Sequence, residues 1–403
     1  MRTLPPRMRD KLYKDYYVPE EILELRCRFR AFAEDKLFPR AYDLGQKEES
    51  NDNFPRDLFK EMADEGFFKV PYKKEDGGLG LGNPACAAAS LAEELAYVSA
   101  SFSGSVNAHF LLAGMSLAEG SGHIKDKYLT PLLSCDSIGS FAMTEPQSGS
   151  DVRTDSLITT AEKKDGRYVV NGQKRYITNA GVADFSATLV GLGDKSCMLV
   201  IDMDAEGVSV SDPDKKLGNR GELTYDIYFD NVEVPLENLI AEEGDGLKVC
   251  VGALMYGRTG IGASGVGMAQ SAFDECVRFM EERKSYGKKL NRFQHWQFLM
   301  AERAVEIENA RNLYLKSARR IDGGDKFPVF ESSGAKFYGS KVSVDMARDA
   351  VQIFGGYGLM VELAYDKSTY KVEEIYRDSK VGEIYEGANE IHKMLVAREI
   401  FGK

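Results

Sequence analysis

The sequence predicts a mostly helical α+β protein in three blocks: a helical block, a small antiparallel β domain and a block of four helices. Three observations carry this. The hydrophobic period is helical from about residue 19 to 137, close to two from about 138 to 240, and helical again from about 246 onward. The length of 403 residues suits two or three domains at roughly 150 residues each, divided here as 1–137, 138–245 and 246–403. With 43% apolar and 29% charged residues, the chain can bury a large core, which excludes a disordered, collagen-like or disulfide-stapled protein.

In the first block, Glu20 to Leu37 mixes apolar and charged residues at helical spacing, and Pro39 is expected to stop that helix. Asp76 to Pro84 is glycine-rich and reads as a loop. Ala85 to Val98 is an Ala-rich helix with Glu93 and Glu94 on one side. In the second block, Tyr168-Val169-Val170, Asn171-Gly172 and Lys174 to Thr178 predict a β-hairpin turning at Asn-Gly. Cys197 to Ile201 is a further strand. Leu223, Tyr225, Ile227 and Phe229 alternate with Thr224, Asp226, Tyr228 and Asp230, as a half-buried strand does. In the third block, Ala272, Phe273, Cys276, Val277 and Met280 mark one face of a long helix. Phe298 to Arg320, Ser332 to Phe354 and Ala388 to Phe401 supply three more helices.

A formal net charge of −11 makes nucleic-acid binding unlike this chain, because phosphate neutralisation needs a basic face. No run of about 18 apolar residues predicts a membrane span. Met1 to Tyr17 is basic but lacks the apolar core of a signal peptide, and Phe401-Gly402-Lys403 is not a peroxisomal address. Six cysteines without a C-x-x-C pair read as reduced thiols of a cytoplasmic protein. Four histidines without H-E-x-x-H give a metal site no anchor. His109 reads first as a satisfied core residue, with a ligand for a polar substrate tail as the alternative.

Several segments could carry chemistry. Gly260-Ile261-Gly262-Ala263-Ser264-Gly265 fits the dinucleotide fingerprint, but its flanks are helical, so it reads as a small-residue face for close helix packing. Phe141 to Asp151 offers hydroxyls and backbone N–H groups to a planar ring or a phosphate, or is an ordinary turn. Tyr176 and Thr178, two apart on a strand, would share one face and suit a flat cofactor, or belong to the core. Glu386, beside Gly387 and just before the last helix, could be a general base with a raised pKa, or merely favour the helix dipole.

Their order is more specific than any one of them. Thr144-Glu145-Pro146 with Gly149-Ser150-Asp151 comes first, then Tyr176-Ile177-Thr178-Asn179. Arg283 with Tyr286-Gly287 and Gln294 follows, then Gln352-Ile353-Phe354-Gly355-Gly356, Tyr376-Arg377-Asp378 and Ile384-Tyr385-Glu386-Gly387. From about residue 19 to the end, the chain resembles the acyl-CoA dehydrogenase family of flavoenzymes.

The resemblance implies an N-terminal helical domain, a middle β domain and a C-terminal four-helix bundle, commonly assembled as a homotetramer. FAD would lie between the last two, its site completed by a neighbouring subunit. By motif, Phe141, Met143 and Thr144 would flank the isoalloxazine ring, and Gly149 and Ser150 its junction with the substrate. Tyr176, where relatives usually have Trp, would stack on the flavin, and Thr178 would hydrogen-bond near N5. Arg283, Tyr286 and Gln294 would hold the pyrophosphate and adenosine across the interface, with Gln352 and Gly356. Arg258 would meet the CoA portion, and Ser150, Tyr385 and Gly387 the acyl thioester. Glu386 matches the catalytic base. Gly257 fills the alternative location of that base and cannot act.

The implied reaction is dehydrogenation of an acyl-CoA to the 2-enoyl-CoA. Glu386 takes the α-proton, hydride goes to flavin N5, and electrons pass to an electron-transferring flavoprotein. An acyl-CoA oxidase and a non-catalytic acyl-CoA or flavin-binding protein are the alternatives. The acyl group is open between straight, branched, dicarboxylic and cyclic or aromatic, although Ser99 to Ser105 lacks the Arg of glutaryl-type enzymes. Three departures from the family stand out: Ala388 replaces a usual Thr, Met255 a frequent Asp, and 358–376 is long.

Overall fold

A computed structural model describes residues 2–13 and 17–402. Parts of the two terminal readings, at Met1, 14–16 and Lys403, lie outside them. The first block is helical. Pro39 does not stop its helix: Glu20–Phe32 passes through a π turn, Ala33–Leu37, into Phe38–Gln46. The turn places Pro39 in the first turn of a new segment, where a missing N–H costs no hydrogen bond. Pro84–Val98 starts at a proline in the same way and is buried almost throughout, Glu93 and Glu94 included. Ala100–Asn107 follows, with the Ser99 hydroxyl accepting from Phe102 N, and a π turn, Ala108–Ala113, continues it.

The middle block is one sheet of β1 (Gly139–Ala142), β2 (Thr160–Lys164), β3 (Arg167–Thr178), β4 (Phe185–Leu192), β5 (Lys195–Asp202), β6 (Val208–Val210), β7 (Thr224–Pro235) and β8 (Leu239–Ile240). Its order is β6-β7-β3-β2-β4-β5-β8, with β1 beside β4. Most pairs are antiparallel, but β1–β4 and β2–β4 run parallel, so the sheet is mixed where the sequence suggested antiparallel alone. Parallel neighbours need a crossover, which residues 143–184 provide for β1 and β4. The expected hairpin is also displaced. β3 is one strand through Asn171-Gly172, and the turn lies at Asp165-Gly166, both at positive φ (49° and 76°). Gly172, at φ 144°, makes a bulge instead: a Cβ there would stand 2.5 Å from Thr159 Cα. β7 keeps the predicted alternation, with Tyr225, Ile227 and Phe229 buried and Tyr228 exposed.

The last block contains the four expected helices, Gly246–Glu282, Gln294–Asp322, Val329–Phe354 and Asn389–Phe401, plus a short one, Val372–Ser379. The glycine sextet lies mid-helix in Gly246–Glu282, with no strand before it. A Cβ at Gly262 would lie 2.8 Å from Ala335 O, and one at Gly265 2.6 Å from Gly339 O. These glycines let two helices of the block touch backbone to backbone.

Candidate active site

Glu386 sits in the loop entering Asn389–Phe401 and adopts φ 53°, followed by Gly387 at φ 100°. A left-handed glutamate costs about 1–3 kcal/mol and persists where its surroundings enforce it. Here three side chains hold the two carbonyls. Arg258 Nε and the His392 ring Nε2 donate to Glu386 O at 3.4 and 3.2 Å, with the His tautomer assigned from that contact. Lys336 Nζ donates to Gly387 O at 2.6 Å and to Asn389 Oδ1 at 3.0 Å. The Glu386 carboxyl packs against the helix Gly246–Glu282 at Gly257. Its Oε2 is buried and has no hydrogen-bond partner among the described residues. It lies against Gly257, whose absent side chain leaves it room: a Cβ there would collide with Oε2 and stand 2.6 Å from Leu112.

Burial pushes the Glu386 carboxyl up to about 8, against the pull of Arg258 and Lys336, while Glu222 adds to the rise. Lys336 is itself lowered to about 8 by burial, and His392 to about 3. Burial raises the Tyr385 phenol well above its ordinary range, so it stays protonated beside the carboxyl. A carboxyl with a free oxygen and a pKa near working pH can exchange a proton with a bound molecule.

Phe141 lies on β1, and the loop after it, holding Met143, Thr144, Gly149 and Ser150, is anchored from beneath. Lys174 and Glu145 form a fully buried ion pair at 2.8 Å, and Lys174 also donates to Met143 O. Glu145 accepts from Ile158 N and Thr159 N at 2.7 and 2.9 Å. Arg175 N donates to Thr144 O at 2.8 Å. Gly149 and Ser150 are exposed, and Phe141, Met143 and Thr144 half-buried. Tyr176 is 59% exposed at φ 58°, and β3 shifts register between Lys174 and Ile177. The regular alternation assumed for Tyr176 and Thr178 is therefore broken. Thr178 Oγ1 donates to Glu222 Oε1 at 3.0 Å.

Arg283, Tyr286, Gln294, Gln352 and Gly356 are all exposed. Arg283 and Gly356 line a cleft of about 410 Å3 with Phe279, Phe354, Gly355 and Tyr357. The Arg283 guanidinium lies 5.4 Å from the Tyr357 ring centroid and meets no carboxylate among the described residues. Such a cleft fits an anionic, ring-bearing group. It lies 25 residues along the helix axis from Arg258, roughly 37 Å. The chain thus brings Glu386, Tyr385, Gly387 and Arg258 together, and places the Arg283 group elsewhere.

His109 is the core residue expected. Its Nε2 meets Leu132 O and its Nδ1 accepts from Gly139 N, both at 3.2 Å, and burial lowers it to about 3. Met255 Sδ is met by Ser332 Oγ at 3.3 Å, and Ala388 is the N-cap of the last helix, without a side-chain cap. Sequence reasoning passed over Lys174, Lys336, His392, Asn107 and Glu222. Only Lys174 left a trace, sharing strand parity with buried Tyr168 and Val170.

The comparisons agree with this architecture. Family models for the acyl-CoA dehydrogenase N-terminal, middle and C-terminal domains match residues 19–136, 140–232 and 244–401. The chain belongs to the acyl-CoA dehydrogenase family, whose members are FAD-dependent oxidoreductases. It is 35% identical over 393 residues to the short-chain-specific acyl-CoA dehydrogenase of Clostridium acetobutylicum, covering 96% of this chain and 100% of that one. It is 34% identical over 393 residues to the caffeyl-CoA reductase-Etf complex subunit CarC of Acetobacterium woodii, covering 96% and 100%. Among solved structures, butyryl-CoA dehydrogenase from Megasphaera elsdenii matches with TM-score 0.87 and 29% identity, over 96% of this chain and 100% of that one.

Proposed function

We propose that the protein dehydrogenates an acyl-CoA thioester to the 2-enoyl-CoA, or runs that reaction in reverse, with Glu386 moving the α-proton. The observation that carries this is the Glu386 carboxyl, buried at Oε2, unpartnered there, and lodged against Gly257. FAD, when bound, supplies the acceptor for the β-hydrogen and its electron pair. Glu386 Oε2 takes the α-proton, and its backbone N–H donates to the thioester carbonyl, where negative charge grows. Arg258, Lys336 and His392 keep the loop in its left-handed turn, and Arg258 meets the CoA portion beside Tyr385 and Gly387. Leu112 keeps water from the carboxyl.

The exposed faces of Tyr176, Phe141, Met143 and Thr144, with Gly149, Ser150 and Thr178, suit the flavin ring. Arg283, Tyr286, Gln294, Gln352 and Gly356 suit the pyrophosphate and adenosine. By the family resemblance, the Arg283 group serves a second copy's cofactor. Its place roughly 37 Å along the helix from Arg258 supports that reading, and with it a homo-oligomer, a tetramer by resemblance. An electron-transferring flavoprotein is the proposed redox partner, a reading favoured by the Etf complex of the caffeyl-CoA reductase relative. Unpaired cysteines favour a reducing compartment such as the cytoplasm.

The test is anaerobic. Flavin absorbance of the purified holoenzyme is followed while acyl-CoA thioesters are added, and peroxide is assayed after air is admitted. Bleaching by a thioester, with little peroxide, is expected. Fast stoichiometric peroxide would indicate an oxidase, and a flavin that no thioester or enoyl-CoA perturbs would remove the acyl-CoA reading.

A further inference from the structure

Close to Glu386, an amide without partners among the described residues is buried among leucines. Gly257 and Gly260 are three residues apart and so neighbour each other on one face of Gly246–Glu282. A Cβ at Gly257 would strike Glu386 Oε2, and one at Gly260 would stand 3.6 Å from Asn107 Nδ2 and 3.2 Å from Leu111. The Asn107 amide thus lies about one helical turn, roughly 5 Å, along the helix from the carboxyl. Asn107 is 1% exposed, and neither its Nδ2 nor its Oδ1 has a partner among the described residues. Burying a whole amide with neither bond made is costly, and native proteins seldom do so without a use for it.

A second polar group flanks it. Gly104 precedes Asn107 by three residues on its helix, and a Cβ there would collide with Glu222 Oε2. Glu222 is 5% exposed and forms no ion pair within 4.0 Å among the described residues. Among the described residues its oxygens accept from Thr178 Oγ1 at 3.0 Å and Asn219 Nδ2 at 2.8 Å. Burial raises its pKa, and its charge in turn reaches Glu386 and Tyr385.

The chemistry of these groups selects among acyl tails. An acyl carboxylate would satisfy Asn107 Nδ2 but bring a second negative charge to Glu222. An ammonium would leave Asn107 Nδ2 without an acceptor. A plain hydrocarbon would leave both amide atoms orphaned. A hydroxyl donates and accepts, and so meets both atoms of the amide.

Resting on the acyl-CoA reading above, we propose that the site beside Glu386 takes an acyl thioester bearing a hydroxyl beyond the β-carbon. Asn107 binds that hydroxyl through both amide atoms, and Glu222 turns away acyl carboxylates. The hydroxyl is aliphatic or phenolic, two sources of one chemistry.

The experiment uses the FAD-loaded protein and two matched pairs of thioesters, each differing only by the hydroxyl. One pair is a straight-chain acyl-CoA with and without an ω-hydroxyl, the other a 3-arylpropionyl-CoA with and without a phenolic hydroxyl. The rate of flavin bleaching gives kcat/KM, and spectral titration gives affinity. At least one pair is expected to favour its hydroxylated member roughly tenfold to a hundredfold, and the pair that does so names the source. In Asn107→Leu that preference should collapse, chiefly through KM for the hydroxylated member, with flavin content and melting temperature measured alongside. If that variant does not fold, the wild-type ratios still decide. Bleaching by unsubstituted members as fast as by hydroxylated ones, in both pairs, would overturn the inference and leave the acyl-CoA reading standing. No bleaching by any thioester would overturn both.

Discussion

Two pairs of glutamates with desolvated carboxyls show how the same side chain serves opposite ends. Glu93 and Glu94 lie side by side on Pro84–Val98, at 3% and 1% exposure, inside a ring of arginines. Arg26 reaches both, at 2.7 and 2.8 Å, while Arg7 and Arg9 reach Glu94 and Arg311 reaches Glu93. Burial alone would raise both carboxyls, yet the guanidiniums hold Glu93 well below its ordinary value and Glu94 at about 2. Glu386, half-buried but enclosed at Oε2, and buried Glu222 have no ion pair among the described residues, and burial raises both. Desolvation is common to the two sites, and the presence of fixed cations decides its outcome. The paired site fastens the N-terminal segment to the bundle. The unpaired site keeps a proton within reach of chemistry.

Removing the unpaired carboxyl should have the largest consequence. Glu386→Gln is expected to keep FAD and the fold, and to lower turnover about a thousandfold, read by steady-state assay against flavin content. Removing a cation from the paired site should damage stability instead. Arg26→Ala removes a cation that both buried carboxylates share, leaving Arg311 on Glu93 and Arg7 and Arg9 on Glu94, and should cost about 2–3 kcal/mol in chemical denaturation, with turnover per folded, flavin-loaded subunit little changed. Crowding the unpaired site tests its geometry. Gly257→Ala pushes a methyl onto Glu386 Oε2, and turnover should fall about tenfold to a hundredfold, with a small change in melting temperature.

The mildest contrast lies in pH. Glu386 is raised on folding, so its contribution is complete below about 4.5 and is lost as pH rises toward 8. Glu94 is lowered, so its contribution is complete above about 4.5 and is lost as pH falls toward 2. Between pH 5 and 8 the melting temperature of the wild type should therefore decline relative to that of Glu386→Gln. Parallel curves would remove the assigned burial of that carboxyl.

The sequence carried the order of blocks, because each block has its own hydrophobic period, and it carried the motif residues, because they are local. It misplaced the hairpin because Asn171-Gly172 suits a bulge as well as a turn, and only the neighbouring Thr159 backbone decides. It stopped a helix at Pro39 because a π turn is invisible in composition. Lys336 and His392 lay beyond reach for a different reason. Their partners are carbonyls of a loop 51 and 6 residues away, and a carbonyl has no residue signature. Asn107 stands out only once its amide is seen without partners.

The most direct test of the account is the pH dependence of kcat/KM with a substrate that bleaches the flavin, since that ratio reports ionisations of the free enzyme. A rise of about tenfold per pH unit toward an inflection near 8, absent from the residual activity of Glu386→Gln, is the expected result. A profile flat from pH 6 to 9, or the same inflection in the variant, would contradict Glu386 as the group that moves the proton.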